Sequence, residues 1–231
     1  MGVPNCLSRF LLPATCVVCR GTAEHLDLCD ACAAELPWNR HACSRCGEPL
    51  SRAGIAADCR VCRNHRVHFR QAFSPFRYAP PLDRLVVRFK SGHFGTGRVL
   101  AHHLALSAAA RYATGRPPDL VIPVPLDGTR MRERGFNQAA YLSAEVARTL
   151  ACRHAPRAVQ RKRGRQTQKS LSRAERKRNL KDAFESRLTG LHILLVDDVY
   201  TTGATVEAVR ESLQGCHVDL ATLARTPSFN G

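Results

Sequence analysis

The chain has 231 residues, of which 44% are hydrophobic and 23% charged, a composition that excludes a wholly disordered chain and fits one ordinary domain plus a small module. No apolar run approaches the roughly 20 residues that span a bilayer, and residues 1–16 lack the basic leader and long apolar stretch of a signal peptide, so we expect no integral membrane segment and a cytoplasmic location. The net charge of +16 favours polyanionic partners such as nucleic acid, a phosphorylated metabolite or an anionic lipid surface.

The first unusual feature along the chain is its cysteine pattern. Eight of the eleven cysteines form four Cys-x-x-Cys pairs within residues 16–62. Two thiolates at this spacing can face one metal ion, and two such pairs complete a closed tetrahedral shell of four sulfurs. In a reducing cytosol zinc explains this pattern better than disulfides or redox chemistry do. The predicted ligands of two structural zinc ions are Cys16, Cys19, Cys29, Cys32, Cys43, Cys46, Cys59 and Cys62.

These cysteines define a predicted N-terminal module, residues 1–65, that is too poor in apolar residues to build its own core. Metal binding would supply its folding free energy. If the four Cys-x-x-Cys pairs combine in sequential order, they form two zinc ribbons end to end. A cross-braced arrangement, in which the first pair combines with the third and the second with the fourth, is the alternative that the sequence leaves open. Because four cysteines leave no free coordination position, we expect the zinc ions to be structural.

Residues 66–231 form the second predicted domain, in which strands and helices alternate. This order is typical of an α/β domain with a mostly parallel sheet. We predict strands at 69–78, 119–124, 192–199 and 217–225. We predict helices at 82–90, 97–113, 137–151 and 205–213, with Asn137 as an N-cap. In such a sheet the binding site lies at the carboxyl ends of the strands.

The predicted strand 192–199 carries the candidate site. It ends in Asp197 and Asp198, and a short loop then enters a helix. That loop offers hydroxyls, backbone N–H groups and a helix N-terminus, which together favour a phosphate; its residues are Thr201, Thr202, Gly203, Ala204 and Thr205. Gly203 would let the backbone approach the anion closely. Carboxylates beside a phosphate cradle suit the hydroxyls of a ribose 5-phosphate.

Two acids, two spacers and Thr-Thr-Gly-x-Thr after an apolar strand resemble the phosphoribosyl diphosphate (PRPP) signature of type I phosphoribosyltransferases. The resemblance implies that Asp197 and Asp198 hold the ribose hydroxyls and are the candidate catalytic residues, while 201–205 wraps the 5-phosphate. The segment VIPVPLDG (121–128) resembles a pyrophosphate loop. It implies that five residues face the diphosphate with Mg²⁺ between them: Val124, Pro125, Leu126, Asp127 and Gly128.

The whole chain resembles the ComF family, also called competence protein F. The N-terminal Cys-x-x-Cys pairs, RERGFNQAAYLS (132–143), TQKSLSRAERKRNL (167–180) and the PRPP strand occur in that order in this family. The resemblance implies a double zinc ribbon, a phosphoribosyltransferase-like domain, and a link to DNA uptake in natural transformation.

A basic segment at 153–181 holds twelve Lys and Arg against a single acid, Glu175. Solvated helix faces normally mix charge signs, so this segment favours a polyanion over a merely solubilising role. By the resemblance it is the counterpart of a mobile lid over the active site. It could contact a diphosphate, a nucleic-acid backbone or both. Aromatic residues are absent from it, so any base stacking would come from elsewhere. Phe136, Tyr141 and Tyr200 are candidates near the site, although a core position explains each of them better.

Two function classes follow. In the first, the chain binds PRPP as a ligand while the zinc ribbons and basic segment engage single-stranded DNA or a protein of the DNA-uptake machinery. In the second, the chain is an active phosphoribosyltransferase, and a nucleophile displaces pyrophosphate from PRPP with Mg²⁺ on the leaving group. The absence of a recognisable nucleobase pocket in the sequence favours the first.

Overall fold

The computed structural model describes residues 14–23, 26–50, 59–64, 68–162 and 182–228. In the cysteine-rich part, β1 (Ala14–Thr15) and β2 (Thr22–Ala23) form an antiparallel pair. They are followed by α1 (Asp30–Glu35) and α2 (Arg60–Asn64). The short length of these elements agrees with a module that depends on metal ligands more than on secondary structure.

The second part is an α/β domain. Its strands are β3 (Ala72–Phe73), β4 (Phe76–Arg77), β5 (Leu120–Pro123), β6 (Arg153–His154), β7 (Val159–Arg161), β8 (Phe184–Ser186), β9 (His192–Tyr200) and β10 (His217–Arg225). Its helices are α3 (Leu82–Lys90), α4 (Phe94–Tyr112), α5 (Gly128–Arg134), α6 (Gln138–Thr149) and α7 (Ala204–Glu211).

The central sheet has the order β3-β10-β9-β5-β6, with β4 also paired to β10. Every one of these pairings is parallel. The predicted fold class, an α/β protein with a mostly parallel sheet and an N-terminal double zinc ribbon, is therefore confirmed. The buried apolar runs of β9 and β10 form the centre of the sheet, because a strand covered on both faces needs apolar side chains on both.

The two faces of the sheet bury different parts of the cysteine-rich module. Leu194 and Val196 of β9 belong to a cluster that includes Cys16 and Cys32. The alternate residues Ile193 and Leu195 belong to a second cluster that includes Cys43, Cys46 and Cys59. Since successive side chains of a strand point to opposite faces, the first ribbon packs on one face of the sheet and the second ribbon on the other.

The segment 69–78 differs from its prediction as one strand. It forms β3 and β4, each of two residues, separated by Ser74 and Pro75. Proline has no N–H to donate to a neighbouring strand. The break is bridged instead by side chains, because the Ser74 hydroxyl lies 2.6 Å from the Thr222 hydroxyl of β10.

The four predicted helices and the other three predicted strands lie within a few residues of their predicted bounds, and Asn137 caps α6 by accepting a hydrogen bond from the Ala139 N–H at 3.0 Å. The short strands β6, β7 and β8 were not predicted. Helix α5 was not predicted. In the basic segment 153–181, Arg153 lies in β6 and Arg161 lies in β7, whereas residues 163–181 lie outside the described residues. The antiparallel β7–β8 pair joins the two ends of that stretch. Among the described residues no helix is long and apolar enough to cross a membrane.

Candidate functional site

The two segments predicted to hold a phosphorylated ribose leave the same edge of the sheet. Strands β5 and β9 are parallel neighbours, with Pro123 opposite Val196. The Val124 N–H donates to the Val196 carbonyl at 2.8 Å. Residues 124–128 and 197–205 therefore start side by side at the carboxyl edge, where ligands of such sheets bind.

Asp197 and Asp198 lie near the carboxyl end of β9 and are partly buried. The Asp198 carboxylate lies 2.6 Å from the ammonium Nζ of Lys90, the last residue of α3. Asp197 accepts a hydrogen bond from the Asp198 N–H at 2.8 Å. Burial, together with the adjacent charge of Asp198, raises the pKa of Asp197. The pair thus combines one carboxylate neutralised by a lysine with one that resists ionisation.

The loop after β9 presents its polar groups to solvent. Thr201 and Thr202 are exposed, and α7 begins at Ala204 without a side-chain N-cap. The N–H groups of a helix's first turn have no partner inside the helix, so here they are available to an anion together with the threonine hydroxyls. Thr205 lies in that first turn.

The structure requires glycine at position 203 for a reason that the sequence did not reveal. Its φ of +79° lies in the left-handed region, and a Cβ at this position would stand 2.6 Å from Cε2 of the Tyr200 ring. The Arg225 guanidinium also packs on that ring, with its Cζ 3.8 Å from the ring centre. Gly203 is therefore needed for the packing of the loop on Tyr200 whether or not a phosphate is bound.

The Arg225 side chain also binds the backbone of the loop. One guanidinium nitrogen donates to the Thr201 carbonyl at 3.0 Å. The same guanidinium is paired with Glu48, 2.9 Å away, and the two side chains are 3% and 6% exposed. Glu48 follows Cys46 by two residues, so the second ribbon is connected to the candidate phosphate loop through one buried ion pair.

Hydrogen bonds of two side chains hold the predicted diphosphate segment, residues 124–128, in place. Asn137 donates from Nδ2 to the Val124 carbonyl at 3.0 Å. Asp127 is the N-cap of α5, and its carboxylate accepts hydrogen bonds from the Thr129 and Arg130 N–H groups at 3.1 and 3.0 Å. The Asp127 carboxylate is therefore already hydrogen-bonded within the protein. Gly128, Thr129 and Arg130, which follow it, are exposed.

The aromatic residues suggested for base stacking lie in internal contacts. Tyr200 is buried beneath Gly203. Phe136 and Tyr141 pack against Phe89 and Phe94, with ring centres 5.1 to 5.8 Å apart. Lys90, Glu48 and Arg225 had no signal of their own in the sequence, since each acts through a contact between distant parts of the chain.

The eight predicted zinc ligands form two separate clusters with sequential pairing. In each cluster the four Sγ atoms lie within 4.8 Å of one another. The Cys19–Cys29, Cys43–Cys62 and Cys46–Cys59 sulfurs are 3.8, 3.7 and 3.5 Å apart. Zinc–sulfur bonds of about 2.3 Å in a tetrahedron place the sulfurs about 3.8 Å apart. Both clusters are consistent with structural zinc, and the described cysteines form no disulfide.

Comparison with known proteins supports the assignment of the zinc ribbons. A family model described as a double zinc ribbon domain matches residues 7–63. The allosteric regulatory enzyme of purine biosynthesis is a solved structure with 17% identity and a TM-score of 0.35, covering 54% of this chain and 26% of that one. That likeness is too low to transfer any ligand.

The class defined by the fold is thus an α/β protein with a double zinc ribbon, and its relatives identify the family. "DNA utilization protein YhgH" of Escherichia coli (strain K12) is 34% identical, covering 87% of this chain and 91% of the relative. "Competence protein F" of Haemophilus influenzae is 32% identical, covering 88% and 92%. "Competence protein ComFC" of Bacillus subtilis is 28% identical, covering 78% and 74%. The chain belongs to the ComF family.

Proposed function

We propose that this protein is cytoplasmic, binds PRPP with Mg²⁺ at the carboxyl edge of its sheet, and binds single-stranded DNA during DNA uptake in natural transformation. The observation that carries the PRPP assignment is the adjacency of the two loops, fixed by the Val124–Val196 hydrogen bond. A diphosphate on 124–128 and a 5-phosphate on 201–205 would then bracket a ribose at Asp197 and Asp198.

The donor types present suit that ligand. Carboxylates accept hydrogen bonds from ribose hydroxyls, and the N-terminus of α7 with its exposed threonines suits a phosphate. Mg²⁺ is commonly bound through substrate phosphates and retained water rather than by a protein cage, so it would accompany the diphosphate. Lys90 forms an ion pair with Asp198 at 2.6 Å, which places a positive charge beside the proposed ribose site.

The DNA assignment is supported by charge and by the family. The net charge is +16, and two relatives carry the names DNA utilization protein and competence protein. Non-specific binding of a single strand by lysine and arginine depends steeply on salt, with a slope of about −0.7 in log K per phosphate. Such contacts position the strand without reading its bases.

Calorimetry with PRPP and Mg²⁺ tests the first half. Asp198→Asn should weaken PRPP binding by roughly 1.5–3 kcal/mol, the contribution of a charge-assisted hydrogen bond. Asp30→Asn, on α1 in the first ribbon, is the matched control and should bind PRPP as the parent does. Equal binding by the parent and Asp198→Asn would refute the assignment of the ribose hydroxyls.

Salt titration of binding to a short oligothymidylate tests the second half. Replacing Lys162, Arg163 and Arg165 together by Ser should flatten the slope by up to about 2 if all three contact phosphates. An unchanged slope and affinity would remove this part of the basic segment from the DNA contact.

Active phosphoribosyl transfer is the second candidate function. The two adjacent carboxyl groups at the end of β9 favour it, because the negative charge of the ion-paired Asp198 would stabilise an oxocarbenium-like anomeric centre. In that case pyrophosphate is released from PRPP in the presence of a suitable nucleobase. Absence of release with every nucleobase, alongside normal PRPP binding, would favour a ligand-binding role.

A further inference from the structure

The linker between the two ribbons lies along the outer edge of the central sheet. Trp38 forms a β-bridge with Phe76 of β4. The Asn39 N–H donates to the Pro75 carbonyl at 2.8 Å, and the Arg77 N–H donates to the Pro37 carbonyl at 2.8 Å. The ribbon linker is therefore held to β4 by backbone hydrogen bonds, and its side chains line the space between β4, α4 and the ribbons.

Two adjoining clefts of about 290 and 510 Å³ open at this edge and share Trp38, Asn39 and Arg40. Sites for small organic ligands fall in the range of about 300 to 1,000 Å³. The smaller cleft reaches α4 at His103, and the larger one extends to Arg77. We call these two adjoining clefts together the linker groove.

Two polar atoms of the linker groove lack a partner. Asn39 Oδ1 and His103 Nε2 are inaccessible to solvent and have no hydrogen bond to any described residue. The Asn39 orientation is fixed because its Nδ2 donates to the Gly47 carbonyl at 3.0 Å. Burial lowers the pKa of His103 to about 4, so its ring is neutral at physiological pH. Unsatisfied buried polar atoms are unfavourable, so a ligand with a hydrogen-bonding edge would satisfy them after a small shift of the side chains that cover them.

The remainder of the groove is aromatic and cationic. The Trp38 ring lies 5.2 Å from the His103 ring in an edge-on arrangement. Arg40, His41 and Arg77 are exposed and form no ion pair with another described residue. Among the described residues that line the groove there is no carboxylate. A planar ring beside Trp38 with phosphates on both sides would match these features, as in other single-strand sites.

We propose that the linker groove receives an unpaired base of single-stranded DNA, with its polar edge at Asn39 and His103 and its neighbouring phosphates at Arg40 and Arg77. This rests on the proposed DNA binding and adds the place and the kind of contact. A free nucleotide would offer the same ring and one phosphate group. Arginines beside both adjoining clefts favour a strand, which carries successive phosphates.

Trp38 provides a direct test because it is the single tryptophan of the chain. Its fluorescence would be followed during titration with oligothymidylate, with an abasic strand of equal length, and with thymidine monophosphate. A separate anisotropy measurement would report binding of each strand independently of Trp38. We expect oligothymidylate to quench Trp38, the abasic strand to bind with little quenching, and the monophosphate to need far higher concentration.

Three variants locate the contact. His103→Leu, which removes the polar ring without adding charge, should reduce the preference for oligothymidylate over the abasic strand by roughly five- to tenfold, the effect of one buried hydrogen bond. Arg77→Ser should flatten the salt slope by about 0.7. Arg187→Ser is the matched control, since this exposed arginine follows β8, which is not part of the central sheet, and does not line the groove.

The outcomes separate this proposal from the proposed function. If neither strand binds, the DNA half of the proposed function is wrong. If both strands bind equally and Trp38 emission does not change, DNA binds elsewhere and the linker groove is not its site. Quenching by the monophosphate at the concentration at which the strand quenches would assign the groove to a free nucleotide and overturn the assignment to a strand.

Discussion

Arg225 and Glu48, separated by 177 residues in the chain, form a buried ion pair between the carboxyl end of β10 and the second zinc ribbon. Ser228 also contacts the pair, because its hydroxyl donates a hydrogen bond to the Glu48 carboxylate at 2.9 Å. On its inner side Arg225 bonds the Thr201 carbonyl. One guanidinium therefore has contacts with a metal-binding module, the sheet and the candidate phosphate loop.

Removal of one member of this pair should destabilise the protein strongly. Arg225→Met leaves the Glu48 charge buried without its partner, and the expected loss in the free energy of unfolding is about 3–5 kcal/mol. Glu48→Leu combined with Arg225→Met should recover much of that loss, because neither charge then remains. Urea unfolding of the parent, the single variant and the double variant measures both effects. A single variant as stable as the parent would show that the pair does not hold the fold.

Gly203 and Gly135 offer a matched pair of substitutions. Both have positive φ, +79° and +76°, but a Cβ at Gly135 would meet nothing within 4 Å, whereas one at Gly203 would collide with Tyr200. Gly135→Ala should cost about 1–2 kcal/mol from the backbone conformation alone. Gly203→Ala should cost more and should also weaken PRPP binding, because the loop must move away from Tyr200. Thermal unfolding and calorimetry would distinguish the two; equal losses at both positions would contradict the packing argument.

Local patterns in the sequence predicted most of the fold, and contacts between distant residues account for the site residues that were missed. The apolar run of β9, the Ala-rich α4 and the Asn137 cap each leave a signal within a few neighbouring residues. Lys90 beside Asp198 depends instead on how α3 crosses the sheet. The break at Pro75 was readable, since proline cannot pair in a ladder, and so was α5, which lies between an Asp127 cap and Gly135.

The roles of the two zinc sites should differ. Both should bind metal, so elemental analysis should find two zinc ions per chain. Cys62→Ser in the second cluster should weaken PRPP binding as well as release zinc, because Glu48 of that ribbon supports Arg225 and the loop. Cys19→Ser in the first cluster should release zinc with a smaller effect on PRPP, since this ribbon packs on the other face of the sheet.

Zinc content and PRPP affinity would be measured on the same preparations of both cysteine variants. Equal weakening of PRPP binding by the two substitutions would mean that loss of either ribbon disturbs the domain generally. That result would remove the special connection through Glu48.

Asp197 should make both stability and binding depend on pH. Its pKa is raised to about 8 by burial and by the Asp198 charge, above the unfolded value of about 3.9. The folded state therefore holds a proton that the unfolded state has lost between these two values, and the stability of the parent should fall as the pH rises from about 4 through 8. Asp197→Asn cannot ionise, so its stability relative to the parent should increase over that window, by about 1–3 kcal/mol once solvent screening and Lys90 reduce the full effect. The same variant should bind PRPP more weakly above about pH 8, where the parent presents a carboxylate to the ribose hydroxyls and the variant presents an amide. Urea unfolding at pH 5, 7 and 9 tests the first statement, with Asp30→Asn as the control; a stability difference between Asp197→Asn and the parent that is constant over this range would show that Asp197 ionises normally in the folded protein.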